Sequence, residues 1–246
     1  MTDPFVRVLD FETTGLDPAA ADVIEVGWCD VTQNGEITAP RFMLIHTNRP
    51  IEIEAMATHH ILPHDLIGAA NREHWKPTLA AGGPIAFIAH NARFEASFWP
   101  DAPAPWICTY KAALRLFPQA PRHTNAVLRY FLQFDSNPAF DRLKAMPPHR
   151  AAPDAYVTAH IFTRMLILEN GRLERMGAWT HEPGLLPRIL FGKHRGLRWP
   201  DVPPDYLKSI GRQADMDEDV RFTAAQELSR RRTPPTNPPE PGNRSS

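Results

Sequence analysis

The sequence is poor in cysteine. Its 246 residues include two, Cys29 and Cys108, and each lies in an apolar segment. Two separate thiols in apolar surroundings argue against the disulfide framework of a small secreted protein. They predict reduced core residues in a cytosolic protein.

Net charge is also nearly absent, because 27 Lys and Arg residues stand against 28 Asp and Glu residues. A chain with this balance has no overall positive field. Any contact with nucleic acid must therefore come from local basic patches, and processive binding of a long polyanion is not expected.

Long hydrophobic runs are missing as well. None reaches the roughly 18 apolar residues of a membrane-spanning helix. The opening segment MTDPFVRVLD lacks the cationic flank and apolar stretch of a secretory signal. We therefore expect a cytoplasmic protein without a membrane partner. Proline is in excess, with 26 residues, and the proline-rich end, residues 233–246, is predicted to be disordered.

The order of the apolar segments predicts an α/β fold. The predicted strands cover residues 5–12, 22–32, 37–46, 83–90 and 105–110. The first three are joined by short turns, as in an antiparallel meander. The predicted helices cover two short segments between 48 and 67, then 91–99, 109–117, 123–133 and 152–168. This order indicates a mixed five-stranded sheet flanked by helices.

The character of the sequence changes near residues 181–185. We predict a first domain over residues 1–182 and a small C-terminal module over residues 183–232. The module is expected to form a strand, a turn and a second strand, followed by helices near 203–212 and 217–231.

The first strand ends with an anomaly, because the apolar run VLDFE carries Asp10 and Glu12. Residues i and i+2 of a strand project from the same face. An unpaired buried carboxylate costs several kcal/mol, so a cation must lie opposite the pair. An arginine satisfies this need, and so does a hard divalent metal ion, which prefers oxygen ligands.

Two further segments place polar groups at the ends of predicted elements. His90 and Asn91 follow a buried strand, and Glu95 lies in the first turn of the next helix. Asp154 lies in the first turn of a long helix, and His149 precedes it by five residues. Five helical residues would turn the two side chains about 140° apart, so His149 is expected in the preceding loop.

Together the segments DFETTG, HNARFE and HRAAPD resemble the three motifs of the DnaQ-like family of DEDDh exonucleases. The resemblance covers roughly residues 5–168 and implies a ribonuclease H-like fold. The segments AMATHHI, WICTYKAALRLFP and FGKHRGLRWPDVPPDYLKSI are similar to the exodeoxyribonuclease X branch, which adds a short FGK-x-x-G module.

The resemblance implies a role for each motif residue. Asp10, Glu12 and Asp154 would bind one Mg²⁺ ion, Asp10 and Glu95 would serve a second ion, and Mn²⁺ can substitute. His149 would be the general base, since the pKa of an imidazole lies close to working pH. The implied reaction is 3′-to-5′ hydrolysis that releases nucleoside 5′-monophosphates.

Glu95 departs from the family pattern, which has Asp at that position. The charge is kept, but the carboxylate lies one methylene further from the backbone. A catalytic group misplaced by about 1 Å can cost on the order of 100-fold in rate. We therefore expect a metal-sensitive enzyme that favours Mn²⁺.

Several residues are candidates for contact with the substrate, and they are Thr13, Gly15, Leu16, His59, His90, Asn91, Phe94, Lys193 and Arg195. Leu16 is expected to wedge against the terminal base, and Phe94 offers a stacking face or packs against Phe98. The basic FGKHRG segment is either a phosphate-contacting patch or a solvated hairpin. His59, with His60 and His64, also allows a zinc site, although helical spacing suits three ligands poorly.

Three functions remain open from the sequence. The first is a DNA exonuclease that acts on single strands or frayed 3′ ends. The second is an RNA-trimming exonuclease similar to ribonuclease T or oligoribonuclease, which differs in its handling of the 2′-hydroxyl. The third is a nucleic-acid-binding protein whose catalytic site is weakened by Glu95. A homodimer is compatible with each of them.

Overall fold

A computed structural model of the chain describes residues 3–232. The predicted disordered tail, residues 233–246, lies outside the described residues. The chain divides into two compact units, of which the first ends at Glu182 and the second begins at Pro183. No helix within residues 3–232 has both the length and the apolar composition needed to cross a membrane.

The first unit alternates strands and helices after an opening meander. Its strands are β1 (Phe5–Thr13), β2 (Val23–Thr32), β3 (Arg41–Leu44), β4 (Phe87–Ala89) and β5 (Trp106–Cys108). Its helices are α1 (Ile53–His59), α2 (Trp75–Ala80), α3 (Arg93–Phe98), α4 (Thr109–Leu116), α5 (Asn125–Phe131), α6 (Ala151–Leu168) and α7 (Leu173–His181). Short 3₁₀ turns cover Pro63–Leu66 and Phe134–Ser136.

The five strands form one mixed sheet with the order β3-β2-β1-β4-β5. The strands β1, β2 and β3 pair antiparallel, whereas β4 and β5 extend the sheet in parallel. The predicted mixed five-stranded sheet flanked by helices is therefore confirmed.

Both faces of the sheet are covered, which explains the nearly continuous apolar run of β1. Val6 and Val8 belong to the core that includes α6, whereas Leu9 and Phe11 belong to the core on the other face. Because side chains alternate along a strand, Asp10 and Glu12 share the face of Val6 and Val8. The two carboxylates therefore lie on the side of the sheet that α6 covers.

Helix α6 lies very close to β2. Gly27 is the contact point, because a Cβ atom there would overlap the backbone of Ala151 and Ala152. Gly27 is also the cross-strand partner of Asp10. Ala155 and Ala159 continue the buried side of the helix with small side chains. This close packing brings the first turn of α6 to the end of β1.

The strands β3, β4 and β5 are shorter than the sequence suggests. The third strand was predicted over residues 37–46, but Pro40 cannot donate a ladder hydrogen bond. Accordingly, Ile37 makes an isolated bridge to Val31, and Ile45 makes a separate bridge to Ala70. The sequence patterns also missed α2 and α7, because Pro77 and Gly177 interrupt their helical periodicity.

The second unit contains α8 (Pro204–Gly211) and α9 (Glu218–Arg232), with 3₁₀ turns at Gly192–His194 and Trp199–Asp201. Its own core has the members Ile189, Trp199, Val202, Leu207, Ile210, Val220 and Ala224. The expected pair of strands is reduced to one antiparallel bridge between Arg188 and Arg198. Gly192 and Gly196 have φ values of 60° and 90°, so the backbone leaves the extended region between them.

Candidate active site

The site begins at the carboxyl end of β1. There Asp10 lies opposite Gly27 and Glu12 lies opposite Glu25 in the antiparallel register with β2. Asp154 comes from the first turn of α6. One carboxylate oxygen from each of Asp10, Glu12 and Asp154 lies within 4.8 Å of the others. The structure thus brings together two motifs that are separated by more than 140 residues.

This is the only group of three or more potential metal ligands within residues 3–232. His59, His60 and His64 form no such group, so the described structure offers no support for the zinc alternative. Carboxylate oxygens are ligands for hard cations such as Mg²⁺ or Mn²⁺.

The electrostatics of the group also favour a bound cation. Burial raises the pKa of Asp10 well above its ordinary value, and the charges of Asp154 and Glu12 raise it further. Burial, with the charge of Asp154 second, raises the pKa of Glu12 to about 8. Burial likewise raises the pKa of Asp154, although a hydrogen bond from the backbone of His149 opposes the shift. A divalent cation between the carboxylates would reverse these shifts.

Glu95 lies next to this group without being part of it. The residue is in the first turn of α3, is 3% exposed, and its Oε2 atom has no hydrogen-bond partner. Burial raises the pKa of Glu95 to about 8, and its charge in turn raises the pKa of Asp10. A buried carboxylate oxygen without a partner fits a position that is completed by a cation or its water ligands.

His149 lies in the loop before α6, as its spacing from Asp154 predicts. It is exposed, and its backbone has a φ of 59°. Its backbone N–H donates to Oδ2 of Asp154 over 2.9 Å. The imidazole is therefore attached to a segment that is fixed relative to one of the carboxylates.

A cleft of about 310 Å³ adjoins the carboxylates on one side. Glu12 lines this cleft together with five of the predicted substrate contacts, which are Thr13, Gly15, Leu16, His59 and Phe94. Leu16 is 80% exposed, so its apolar side chain is free to contact a ligand. The Phe94 ring also packs against Phe98 at 5.1 Å between centroids, so both interpretations of Phe94 are compatible with the structure.

A second cleft, of about 630 Å³, is lined by Asp154 and His149 together with His90 and Asn91. Asn91 is exposed and has a φ of 81°, and α3 begins two residues later without a side-chain cap. Asn91 therefore does not cap α3, although asparagine is a common helix-capping residue. Each cleft therefore reaches one member of the carboxylate group, the first at Glu12 and the second at Asp154.

Two of the candidate substrate contacts have internal partners. Nδ1 of His59 accepts from the backbone N–H of Ile61, so Nε2 carries the proton and donates to the Thr13 carbonyl. Nε2 of His90 lies 2.6 Å from the His123 carbonyl, and burial lowers the pKa of His90 to about 4. The structure thus gives both imidazoles contacts that hold the walls of the clefts. Their contact with substrate stays a prediction.

Lys193 and Arg195 belong to the second unit, and both are exposed. The Lys193 ammonium lies 5.6 Å from the centre of the Tyr206 ring, a cation–π contact within that unit. A role for these two residues in nucleic-acid binding also stays a prediction.

Sequence reasoning missed Glu25 and Arg150. Glu25 is 1% exposed on β2, and its carboxylate is paired with the Arg150 guanidinium at 2.6 Å. A signal was present, since Glu25 interrupts the apolar run VIEVGW just as Asp10 interrupts that of β1. What the sequence lacked was the cross-strand register that places Glu25 opposite Glu12.

Comparison with known proteins agrees with this geometry. The family described as Exonuclease (RNase T) matches residues 8–162. Exodeoxyribonuclease 10 of Escherichia coli strain K12 is 31% identical over 223 residues, which cover 89% of this chain and 96% of that protein. A solved structure of exonuclease X in complex with 5′ overhanging duplex DNA aligns with a TM-score of 0.58 and 29% identity, covering 71% of this chain and 99% of the other.

A more distant solved structure shares the fold alone. It is that of E. coli exonuclease I in complex with a dA16 oligonucleotide, with a TM-score of 0.54 and 13% identity, and it covers 72% of this chain and 43% of the other. The family match includes more than half of the residues and begins on the strand that carries Asp10 and Glu12. The chain therefore belongs to the exonuclease family and is a DnaQ-like exonuclease.

Proposed function

We propose that the chain is a metal-dependent 3′-to-5′ exonuclease that releases nucleoside 5′-monophosphates from DNA. The observation that carries the proposal is the group formed by Asp10, Glu12 and Asp154, with one cleft lined by Glu12 and another lined by Asp154. The relatives support DNA as the substrate, because one is named an exodeoxyribonuclease and a solved relative is described in complex with duplex DNA.

In the proposed reaction, Asp10, Glu12 and Asp154 would hold one Mg²⁺ ion, and Asp10 with Glu95 would serve a second. Two such ions would supply charge stabilisation for the attacking and leaving oxygens of the phosphodiester. The orphaned Oε2 of Glu95 and the raised pKa values of the carboxylates fit this assignment. An imidazole nitrogen of His149 takes the proton of the attacking water, and its exposed loop position leaves it accessible to solvent.

The terminal nucleotide is assigned to the smaller cleft. There the exposed side chain of Leu16 contacts the base edge, and the Phe94 ring offers a stacking face. Glu12 belongs to both the cleft and the carboxylate group, so a nucleotide bound there has its phosphate beside the ligands.

Three further assignments stay predictions. We propose that residues 183–232 act as a separate module whose Lys193 and Arg195 contact DNA phosphates. Homodimer formation is the second prediction, and a cytoplasmic location is the third.

The function is tested with single-stranded DNA and matching RNA, each labelled at either the 3′ or the 5′ end. We expect release of mononucleotides from the 3′ end of DNA in Mg²⁺ or Mn²⁺, none with chelator, and none from the Asp10→Ala variant. Preferential release from RNA would instead identify an RNA-trimming enzyme. Binding without release in either metal would identify a nucleic-acid-binding protein and overturn the proposal.

The Glu95→Asp variant tests the departure from the family pattern. We expect it to raise turnover in Mg²⁺ and to narrow the difference between Mg²⁺ and Mn²⁺, because a shorter carboxylate restores the expected position. A gain on the order of 10-fold in Mg²⁺ is consistent with the sensitivity of catalysis to displacements of about 1 Å. Single-turnover rates in each metal provide the measurement. Equal Mg²⁺ rates for the variant and the parent would remove the reason to expect a metal-sensitive enzyme.

A further inference from the structure

Glu25 is a buried carboxylate with a complete set of partners. Its Oε1 accepts from Nη2 of Arg150 at 2.6 Å, and its Oε2 accepts from Nε of Arg150 at 3.0 Å. The same Oε2 accepts from the backbone N–H of Ala151 at 3.0 Å. Ala151 is the first residue of α6, so a side chain on β2 caps this helix in place of a local N-cap residue.

The position of Glu25 is electrostatically demanding. It lies directly opposite Glu12 in the antiparallel ladder, and like charges in that arrangement repel each other. A buried carboxylate is tolerated when it is paired and hydrogen-bonded. The forked guanidinium of Arg150 meets both conditions with two parallel bonds.

The three bonds of Glu25 hold the segment that carries the catalytic groups. Arg150 and Ala151 bind Glu25, while the adjacent backbone N–H of His149 donates to Asp154. The end of the loop and the first turn of α6 are therefore attached to the same sheet as Glu12. Without Glu25, the first turn of α6 would lose these polar bonds to β2 and would be held to the sheet by packing, including the contact at Gly27.

We propose that Glu25 is a positioning residue that fixes the first turn of α6 and keeps the Arg150 guanidinium away from the metal-ligating carboxylates. The inference rests on the proposed metal-dependent function. It also assigns a second role to Arg150. Once Glu25 is lost, the Arg150 guanidinium would compete with the metal ion for the metal-ligating carboxylates. The guanidinium already acts on Glu12 through its charge.

Because Glu25 and Arg150 carry opposite charges, we expect their substitutions to affect metal affinity and turnover differently. Glu25→Gln leaves Arg150 unpaired beside Glu12, so both metal affinity and turnover should fall. Arg150→Gln leaves an extra carboxylate, so turnover should fall through misplacement while metal affinity is kept. The double variant lacks the competing cation, so its metal affinity should lie closer to that of the parent than to that of Glu25→Gln.

The test measures Mn²⁺ binding to the full chain by calorimetry, together with kcat and KM on labelled single-stranded DNA. For Glu25→Gln we expect Mn²⁺ binding weakened by about 10-fold and kcat reduced by about 10- to 100-fold at saturating metal, with KM for DNA nearly unchanged. For the double variant we expect Mn²⁺ affinity within about 3-fold of the parent, because the coupling between contacting charges is not additive.

Asp30→Asn is the matched control. Asp30 lies on the same strand as Glu25 and binds the Arg7 guanidinium through two parallel bonds of 2.6 and 2.9 Å, distant from the carboxylate group. This variant loses a buried partner in the same way, so it should lose stability but keep its Mn²⁺ affinity and kcat. A purely structural role for Glu25 predicts the same pattern in both variants.

The outcomes separate this inference from the function on which it rests. If the parent protein binds no Mn²⁺, the proposed function fails. If the parent binds Mn²⁺ and Glu25→Gln binds it equally well with equal kcat, the positioning role is wrong. Should Glu25→Gln not fold, Arg150→Gln decides, since its side chain is 32% exposed: full kcat would overturn the inference, and reduced kcat with retained Mn²⁺ affinity would support it.

Discussion

Replacing Asp10 with Asn is expected to abolish nucleotide release and to stabilise the metal-free protein. The loss of activity, by about 1,000-fold or more, follows from the removal of the ligand shared between the two proposed ions. The gain in stability follows from burial, since without a cation the buried Asp10 beside Asp154 and Glu12 must either take up a proton or carry an unfavourable charge. We expect the free energy of unfolding at pH 8 to rise by on the order of 1–3 kcal/mol in chelator.

The stability of the metal-free parent protein should depend on pH for the same reason, which is the burial of carboxylates close to one another. Glu12 and Glu95 have pKa values of about 8 in the folded chain, against ordinary values of 4.5. Between these values the folded, metal-free protein binds more protons than the unfolded chain, so its stability falls as pH rises through that window. Bound Mg²⁺ should cancel much of this loss, because ligand binding stabilises the folded state.

The measurement is denaturant unfolding of the parent and Asp10→Asn at pH 6 and pH 8, with chelator and with Mg²⁺. Asp101→Asn is the control, because this carboxylate is 73% exposed and pairs with Lys76 at the surface. The same substitution there should leave both stability and activity nearly unchanged. A metal-free Asp10→Asn protein less stable than the parent at pH 8 would show that the carboxylates do not repel each other as proposed.

The carboxylate group could be predicted from sequence because the positions of its members in a strand and at a helix start determine how their side chains are placed. Asp10 and Glu12 share a strand face by their spacing, and Asp154 follows a helix start that Pro153 marks. Comparing the three segments with known motifs then linked them across the chain. The mixed sheet was predictable for a similar reason, since its strands are apolar and bounded by turns.

Glu25 and Gly27 were not predictable, because their roles depend on contacts distant in sequence. A lone Glu in an apolar strand can face either side of the sheet until the register with β1 is known. A glycine in a strand can mark a bulge, a bend or a close approach, and only the position of α6 shows which. The sequence likewise could not show that the ring nitrogens of His59 and His90 form hydrogen bonds with backbone carbonyls and neighbouring groups.

The Gly27→Ala variant should show how strictly catalysis depends on this close approach. An added Cβ would overlap the backbone of Ala151 and Ala152, and backbone atoms cannot rotate away as a side chain can. The first turn of α6 must therefore move outward by roughly 1 Å, which displaces Asp154 from Asp10 and Glu12. We expect a loss of stability of about 1–3 kcal/mol and a fall in kcat on the order of 100-fold.

Gly177→Ala is the matched control, because Gly177 lies within α7 and nothing approaches the site of its Cβ within 4 Å. There the same methyl group should stabilise the chain by about 0.5–1 kcal/mol, the usual gain of alanine over glycine in a helix. Thermal unfolding and single-turnover rates of both variants give the comparison.

Because Gly27→Ala alters no charge, a loss of kcat with weakened Mn²⁺ binding would show that the distance between α6 and β2 by itself sets the ligand geometry. Full activity in Gly27→Ala would mean that the helix tolerates displacement, and that the bonds of Glu25 maintain the site without this contact.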